Sequence, residues 1–133
     1  MKKIIFYGYL KCSTCRQAAK WLENKAFECQ FIDIVNEPPL LKYINLALDQ
    51  YSIDKKRIFN TRGKAFKSIN VDIYSLSREE IIQLLLSDGK LIKRPFLVYE
   101  ENKVILGFNE IEYAKLSIKD KKLSFWWIYE CFY

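Results

Sequence analysis

The feature that most restricts the fold of this chain is a pair of cysteines three positions apart at the end of its first apolar run. Residues 3–9, KIIFYGY, are short and rich in Ile, Phe and Tyr, as in a strand buried on both faces. Leu10 and Lys11 follow, and then Cys12-Ser13-Thr14-Cys15-Arg16. From Cys15 onward the apolar positions Ala18, Ala19 and Leu22 recur at helical spacing in a glycine-free stretch, which predicts a helix from Ser13 to about Lys25. Cys12 is thereby placed at a strand-to-helix junction. Glu28 to Ile34 alternates as a second strand, so the opening reads as β-α-β.

That position has chemical consequences. The thiolate is the reactive form of cysteine, and an ordinary thiol is only a few per cent ionised at neutral pH. The unpaired N–H groups of a helix N-terminus carry about half a positive charge and favour an anion there, and Lys11 and Arg16 flank the site. Cys15, one turn further on, can reach back to Cys12 as the second thiol of a disulfide cycle. Two alternatives stand beside this redox reading. A structural zinc needs four ligands, whereas the chain has no His, and Cys29 and Cys131 form no second close pair. Inert core thiols are common, but the strand-CxxC-helix context argues against them here. Cys29 itself reads as strand packing.

Past the second strand, Asn36-Glu37-Pro38-Pro39 breaks the chain, and Pro39 is expected in the first turn of a helix whose apolar face is Leu40, Leu41, Ile44 and Leu48. A shorter helical or turn region is expected over 54–66. Ser77-Arg78-Glu79-Glu80 has the form of a capping box, with Ile81, Ile82, Leu84 and Leu85 turned inward and Asp88-Gly89 as the stop. Phe96–Tyr99 and Lys103–Leu106 make a hairpin around 100–102, and Asn109 with Glu112 opens a last helix to about Leu116. The order is β-α-β, a helical insertion over about 37–92, then β-β-α. With Pro95 directly before the third strand, this is an α/β layout of the thioredoxin and glutaredoxin-like type.

Other classes are limited by composition. The 133 residues fit one domain, over 1–118, and half of them are hydrophobic with only four Gly and three Pro, which excludes disorder and long linkers. The net charge of +6 is spread along the chain, with clusters only at Lys55–Arg57 and Lys119–Lys122, so direct nucleic-acid binding is not expected. MKKIIFYGYL imitates a secretory signal, but Lys11 ends the run and no small-residue cleavage site follows. With no apolar run approaching a membrane span, a cytoplasmic protein is expected, where a close cysteine pair is more often catalytic or sensory than a staple. The tail 119–133, basic and then aromatic in FWWIYECFY, reads as a cover for an apolar surface or a partner-facing patch.

Four separated motifs carry a family resemblance: Cys12 to Leu22, Phe59-Asn60-Thr61-Arg62-Gly63, Ser87 to Pro95, and Leu106-Gly107-Phe108. Over roughly Lys2 to Leu116 the chain resembles the ArsC/Spx family, most closely ArsC-like bacterial proteins with Cys-x-Thr-Cys-Arg and Leu-Ile-Lys-Arg-Pro. The resemblance implies a thioredoxin-like core with a helical insertion, a cis peptide bond before Pro95, Cys12 as the reactive thiol, and Arg94 and Arg16 as cations for a thiolate or bound anion. It offers two functions. The arsenate reductase branch needs an arginine clamp of which Arg16 and Arg94 match, while Asn60 and Gly107 stand where two further arginines fall and Gly8 where an assisting His falls. The Spx branch, a regulator that binds the RNA polymerase alpha subunit, has a redox CxxC like Cys12 and Cys15, but a Gly expected near Ser52–Lys55 is absent. The expectation is therefore a thiol-disulfide redox protein with no bound cofactor or metal. Cys12 attacks, Cys15 resolves, Arg94 and the backbone at Pro95 face the sulfurs, Lys11 and Arg16 assist, and glutathione, glutaredoxin or thioredoxin acts as external reductant.

Overall fold

A computed structural model gives the structure of residues 2–116; the tail 119–133, with Cys131, lies outside the described residues. The opening unit is the expected one. Strand β1 (Lys2–Gly8) leads to helix α1 (Ser13–Glu23) and then strand β2 (Phe27–Asp33), which runs parallel to β1 in the register Lys2 to Phe27 through Gly8 to Asp33. After the insertion come β3 (Phe96–Tyr99), antiparallel to β1, and β4 (Lys103–Leu106), antiparallel to β3. The sheet order is β2-β1-β3-β4. A closing helix, α5, is described over 110–116, and Asn109 caps it by accepting from the N–H groups of Ile111 and Glu112 at 2.9 and 3.2 Å. This is the thioredoxin-like arrangement expected from the element order.

Period-two alternation along β1 divides the core between the two faces of the sheet. Ile4 and Phe6 face the side of α1, where they meet Cys15, Ala18 and Leu22 from that helix and Tyr113 and Leu116 from α5. Tyr7 faces the other side, packed with the insertion. All four residues of β3 are buried, because that strand is central and covered on both faces.

The insertion consists of α2 (Leu41–Gln50), a 3-10 turn at Lys55–Ile58, the short α3 (Lys64–Ile69), a turn at Ile73–Ser75, α4 (Arg78–Ser87) and a turn at Gly89–Leu91. The capping box is present: Ser77 Oγ accepts from the Glu80 N–H at 3.2 Å, and the Glu80 carboxylate accepts from the Ser77 N–H at 3.1 Å. Ile81 and Leu85 of α4 are fully buried, with Ile82 and Leu84 half-buried at their flanks.

The start of α2 differs from its reading in the sequence. Both Pro38 and Pro39 precede the helix, and Leu40, the cap residue, is extended at φ −59° and ψ 150°. Leu40 and Leu41 are therefore 52% and 51% exposed, and the buried face is Tyr43, Ile44, Ala47 and Leu48. Gly89 also has a reason the sequence did not reveal. An added Cβ would lie 1.8 Å from the Ile34 carbonyl oxygen, so the turn after α4 packs its backbone directly on the end of β2.

These contacts fix the segment that enters β3. Lys93 donates its N–H to the Ile58 carbonyl at 2.7 Å, Asn60 donates to Leu91 at 2.8 Å, and Phe59 bridges to Ile92. The Arg94–Pro95 peptide bond is cis, as the resemblance implied.

Candidate functional site

Cys12 is the N-cap of α1, with extended backbone at φ −90° and ψ 118°. Its N–H is held by the Tyr9 carbonyl at 3.0 Å and its own carbonyl accepts the first helical bond from Arg16 at 3.1 Å, so the loop between β1 and α1 is short and closed. The Cys12 side chain is half-buried and Cys15 is 3% exposed, facing the core beside Ala18. Both are free thiols. Sequence spacing put one thiol at the helix mouth and one a turn inside it, and the structure has them there.

The two thiols differ in acidity. At Cys12, burial opposes ionisation, but the Cys15 backbone N–H, the Cys15 thiol and the guanidinium of Arg94 all favour the anion and together hold the pKa below the ordinary 9.0. At Cys15, burial pushes the pKa up, the backbone of Tyr9 only partly offsets it, and the charge of an ionised Cys12 raises it further, to about 12. The pair therefore favours one anion on the exposed sulfur, with the proton kept on the buried one. Cys29, on the edge strand β2, is half-buried and its pKa is raised by burial alone.

Arg94 acts on Cys12 by hydrogen bond and charge, with its guanidinium over the ring of Tyr9 at 5.0 Å. Pro95, next to it, is buried, and its carbonyl accepts from the Gly107 N–H at 2.8 Å. The other two expected cations stand differently. Arg16 donates to the Leu10 carbonyl at 2.8 Å, which braces the loop ahead of Cys12, and Lys11 is exposed. Among the described residues, Arg94 is the cation whose charge acts on the Cys12 sulfur.

Tyr9 carries more of the site than its sequence position suggested. It is the last residue of the apolar run and read as strand, yet it anchors the Cys12 N–H and supports Arg94. The aromatic followed by a short loop and CxxC was the only available signal. A cavity of about 260 Å3 runs beside Cys15, lined by Phe6, Leu10, Ala19 and Phe31 and by the charged residues Arg16 and Asp33. No helix among the described residues is long and apolar enough to cross a membrane.

Comparison with known proteins agrees with this geometry. The model of the ArsC family matches residues 7–116. The uncharacterized protein YusI of Bacillus subtilis is 39% identical over 114 residues, covering 84% of this chain and 96% of that protein. The global transcriptional regulator Spx of Lactiplantibacillus plantarum is 32% identical over 109 residues, covering 82% of each. A solved structure described as a possible arsenate reductase from Streptococcus mutans superposes with a TM-score of 0.74 at 38% identity, over 82% of this chain and 93% of that one.

Proposed function

The chain belongs to the ArsC family, and on that premise we propose that it is a thiol-disulfide redox protein in which Cys12 is the nucleophile and Cys15 the resolving thiol. The observation that carries this reading is the placement of the two thiols, Cys12 half-buried at the N-cap of α1 and Cys15 buried one turn inside it, a placement that lowers the Cys12 pKa and raises that of Cys15. A Cys12 thiolate attacks one sulfur of a disulfide, and the other sulfur leaves as a thiolate. The negative charge that held the proton on Cys15 has then left the site. Cys15 ionises more readily, attacks Cys12 and expels the second thiolate, so that the protein ends with a Cys12–Cys15 disulfide and the substrate has gained two electrons. Arg94 stabilises the anion at each stage, the backbone at Pro95 faces the reacting sulfurs, and Lys11 and Arg16 add positive field around the loop. Glutathione, glutaredoxin or thioredoxin restores the dithiol in the cytoplasm, with no bound cofactor.

Within this family reading, disulfide chemistry is favoured over arsenate reduction. Asn60, Gly107 and Gly8 supply no guanidinium or imidazole, which leaves a bound oxyanion with part of its clamp. A second reading has its own support in the similarity to Spx: the same disulfide switches a regulator that contacts the RNA polymerase alpha subunit, without turnover.

Mass spectrometry after mild peroxide tests the shared step, with a Cys12–Cys15 bond expected and a bond to Cys29 or Cys131 contradicting it. Sustained disulfide reduction supplied by thioredoxin or glutathione supports the enzyme. Redox-dependent co-purification with the alpha subunit and no turnover supports the regulator.

A further inference from the structure

A second cleft, which the disulfide cycle does not use, draws one wall residue from the segment that carries Arg94. Its volume is about 420 Å3, within the range of small-molecule sites, and its walls include Asp54, Lys56, Arg57, Phe59, Thr61 and Lys93. The two sites share one segment. Lys93 immediately precedes Arg94, which acts on Cys12, and its stem passes over Gly107, where an added Cβ would come within 3.3 Å of Lys93 Cε. Gly107 in turn donates to the Pro95 carbonyl. Lys93 thus joins the cleft, through Gly107 and the Pro95 backbone, to the segment whose Arg94 serves the thiolate.

The cleft is positive, and its cations are held in place. Arg57 lies over the ring of Tyr51 at 4.9 Å, and Lys56 has the rings of Phe66 and Tyr74 at 5.9 and 5.8 Å. Aromatic contacts of this kind restrict a side chain without neutralising it. The one carboxylate in the wall is already engaged, since Asp54 accepts from the Lys56 N–H at 3.3 Å and from the Tyr74 hydroxyl at 3.1 Å. The ion pairs among the described residues are Lys42 with Glu101 and Arg78 with Asp49, so Lys56, Arg57 and Lys93 have no carboxylate partner there.

We propose that this cleft is a recognition subsite for the carboxylates of a small disulfide, binding them so that a disulfide sulfur is presented to Cys12. The proposal rests on the thiol-disulfide reading and adds the substrate class, a low-molecular-weight disulfide bearing carboxylates. Cys12 attacks its S–S bond, one carboxylate-bearing thiolate leaves, and closure by Cys15 releases the other, its thiol proton passing to solvent.

Stopped-flow rate constants for the full chain test it with two chromogenic probes, the dianionic dithiobis(nitrobenzoate) and the uncharged dithiodipyridine. The quantity read is the ratio of the anionic to the neutral rate constant. Lys93→Glu is expected to lower that ratio roughly tenfold and Arg57→Gln about threefold at low salt, with the difference shrinking as ionic strength rises. Both residues are exposed, and each variant is an independent arm. A ratio within about twofold of the wild type in both variants overturns the subsite. A wild-type rate with the neutral probe no faster than free cysteine overturns the reading of Cys12 itself, and the subsite with it.

Discussion

Replacing Arg94 by Ala removes both a donor and a unit charge from the Cys12 thiolate while leaving the Cys15 N–H and thiol in place. A hydrogen bond to a charged group contributes about 1.5–3 kcal/mol. The side chain is only half-buried, so solvent screening places the loss at the low end of that range, about 1.5 kcal/mol. One such step is a factor of about ten in the ratio of thiolate to thiol. Alkylation of Cys12 by iodoacetamide at neutral pH, followed by peptide mass spectrometry, should therefore slow about tenfold in Arg94→Ala. At a pH high enough to ionise Cys12 fully, the two proteins should react at similar rates. Arg94→Lys keeps a charge but loses the planar fork and should fall between them. The substitution also removes the stacking on Tyr9, worth about 0.5–1 kcal/mol; unfolding would expose Cys12 and work against the predicted slowing. A neutral-pH rate within about twofold of the wild type would refute the electrostatic role of Arg94.

Three further outcomes concern stability and pH. Gly89→Ala places a methyl against the backbone of Ile34 and Val35, where no rotamer relieves the contact; it should cost about 3 kcal/mol or more, read as a lower thermal midpoint. Ser77→Ala breaks the capping box of α4 and should cost about 1 kcal/mol in denaturant unfolding while leaving Cys12 alkylation unaltered. The raised Cys15 pKa makes its contribution to stability complete below the unfolded value of 9.0 and lost as pH climbs toward about 12, since the unfolded thiol ionises first. The stability gap between the wild type and Cys15→Ser should accordingly narrow above pH 9.0; a gap independent of pH would show that Cys15 gains nothing from staying protonated.

Much of the fold was legible because its signals are local. Ile4, Phe6 and Tyr7 alternate in the sequence and divide between the two sheet faces, and Ser77 with Glu80 forms the box their spacing specifies. The position of the thiol pair was readable for the same reason: an apolar run, a short loop and a helical pattern leave Cys12 at the cap. Readings failed where position depends on a distant element. Leu40 and Leu41 match the period of α2, but the Pro38-Pro39 pair keeps Leu40 extended, and Tyr43 fills the core with its hydroxyl donating to Glu101 of the hairpin at 3.2 Å. Asp88 and Gly89 do end α4 as read, but the tight approach of Ile34, which is what requires a glycine there, left no sign in the sequence. Arg16, beside Cys15 in the chain, donates to the Leu10 carbonyl, while Arg94, far away in sequence and marked only by the family resemblance, favours the Cys12 anion.

The most direct test of the account is a site-resolved pH profile of alkylation on the reduced wild-type protein, with both sulfurs followed separately. Cys12 should titrate below 9.0 and Cys15 should stay protected until strongly alkaline pH. Equal midpoints near the ordinary thiol value, or Cys15 reacting first, would contradict the division between attacking and resolving thiol.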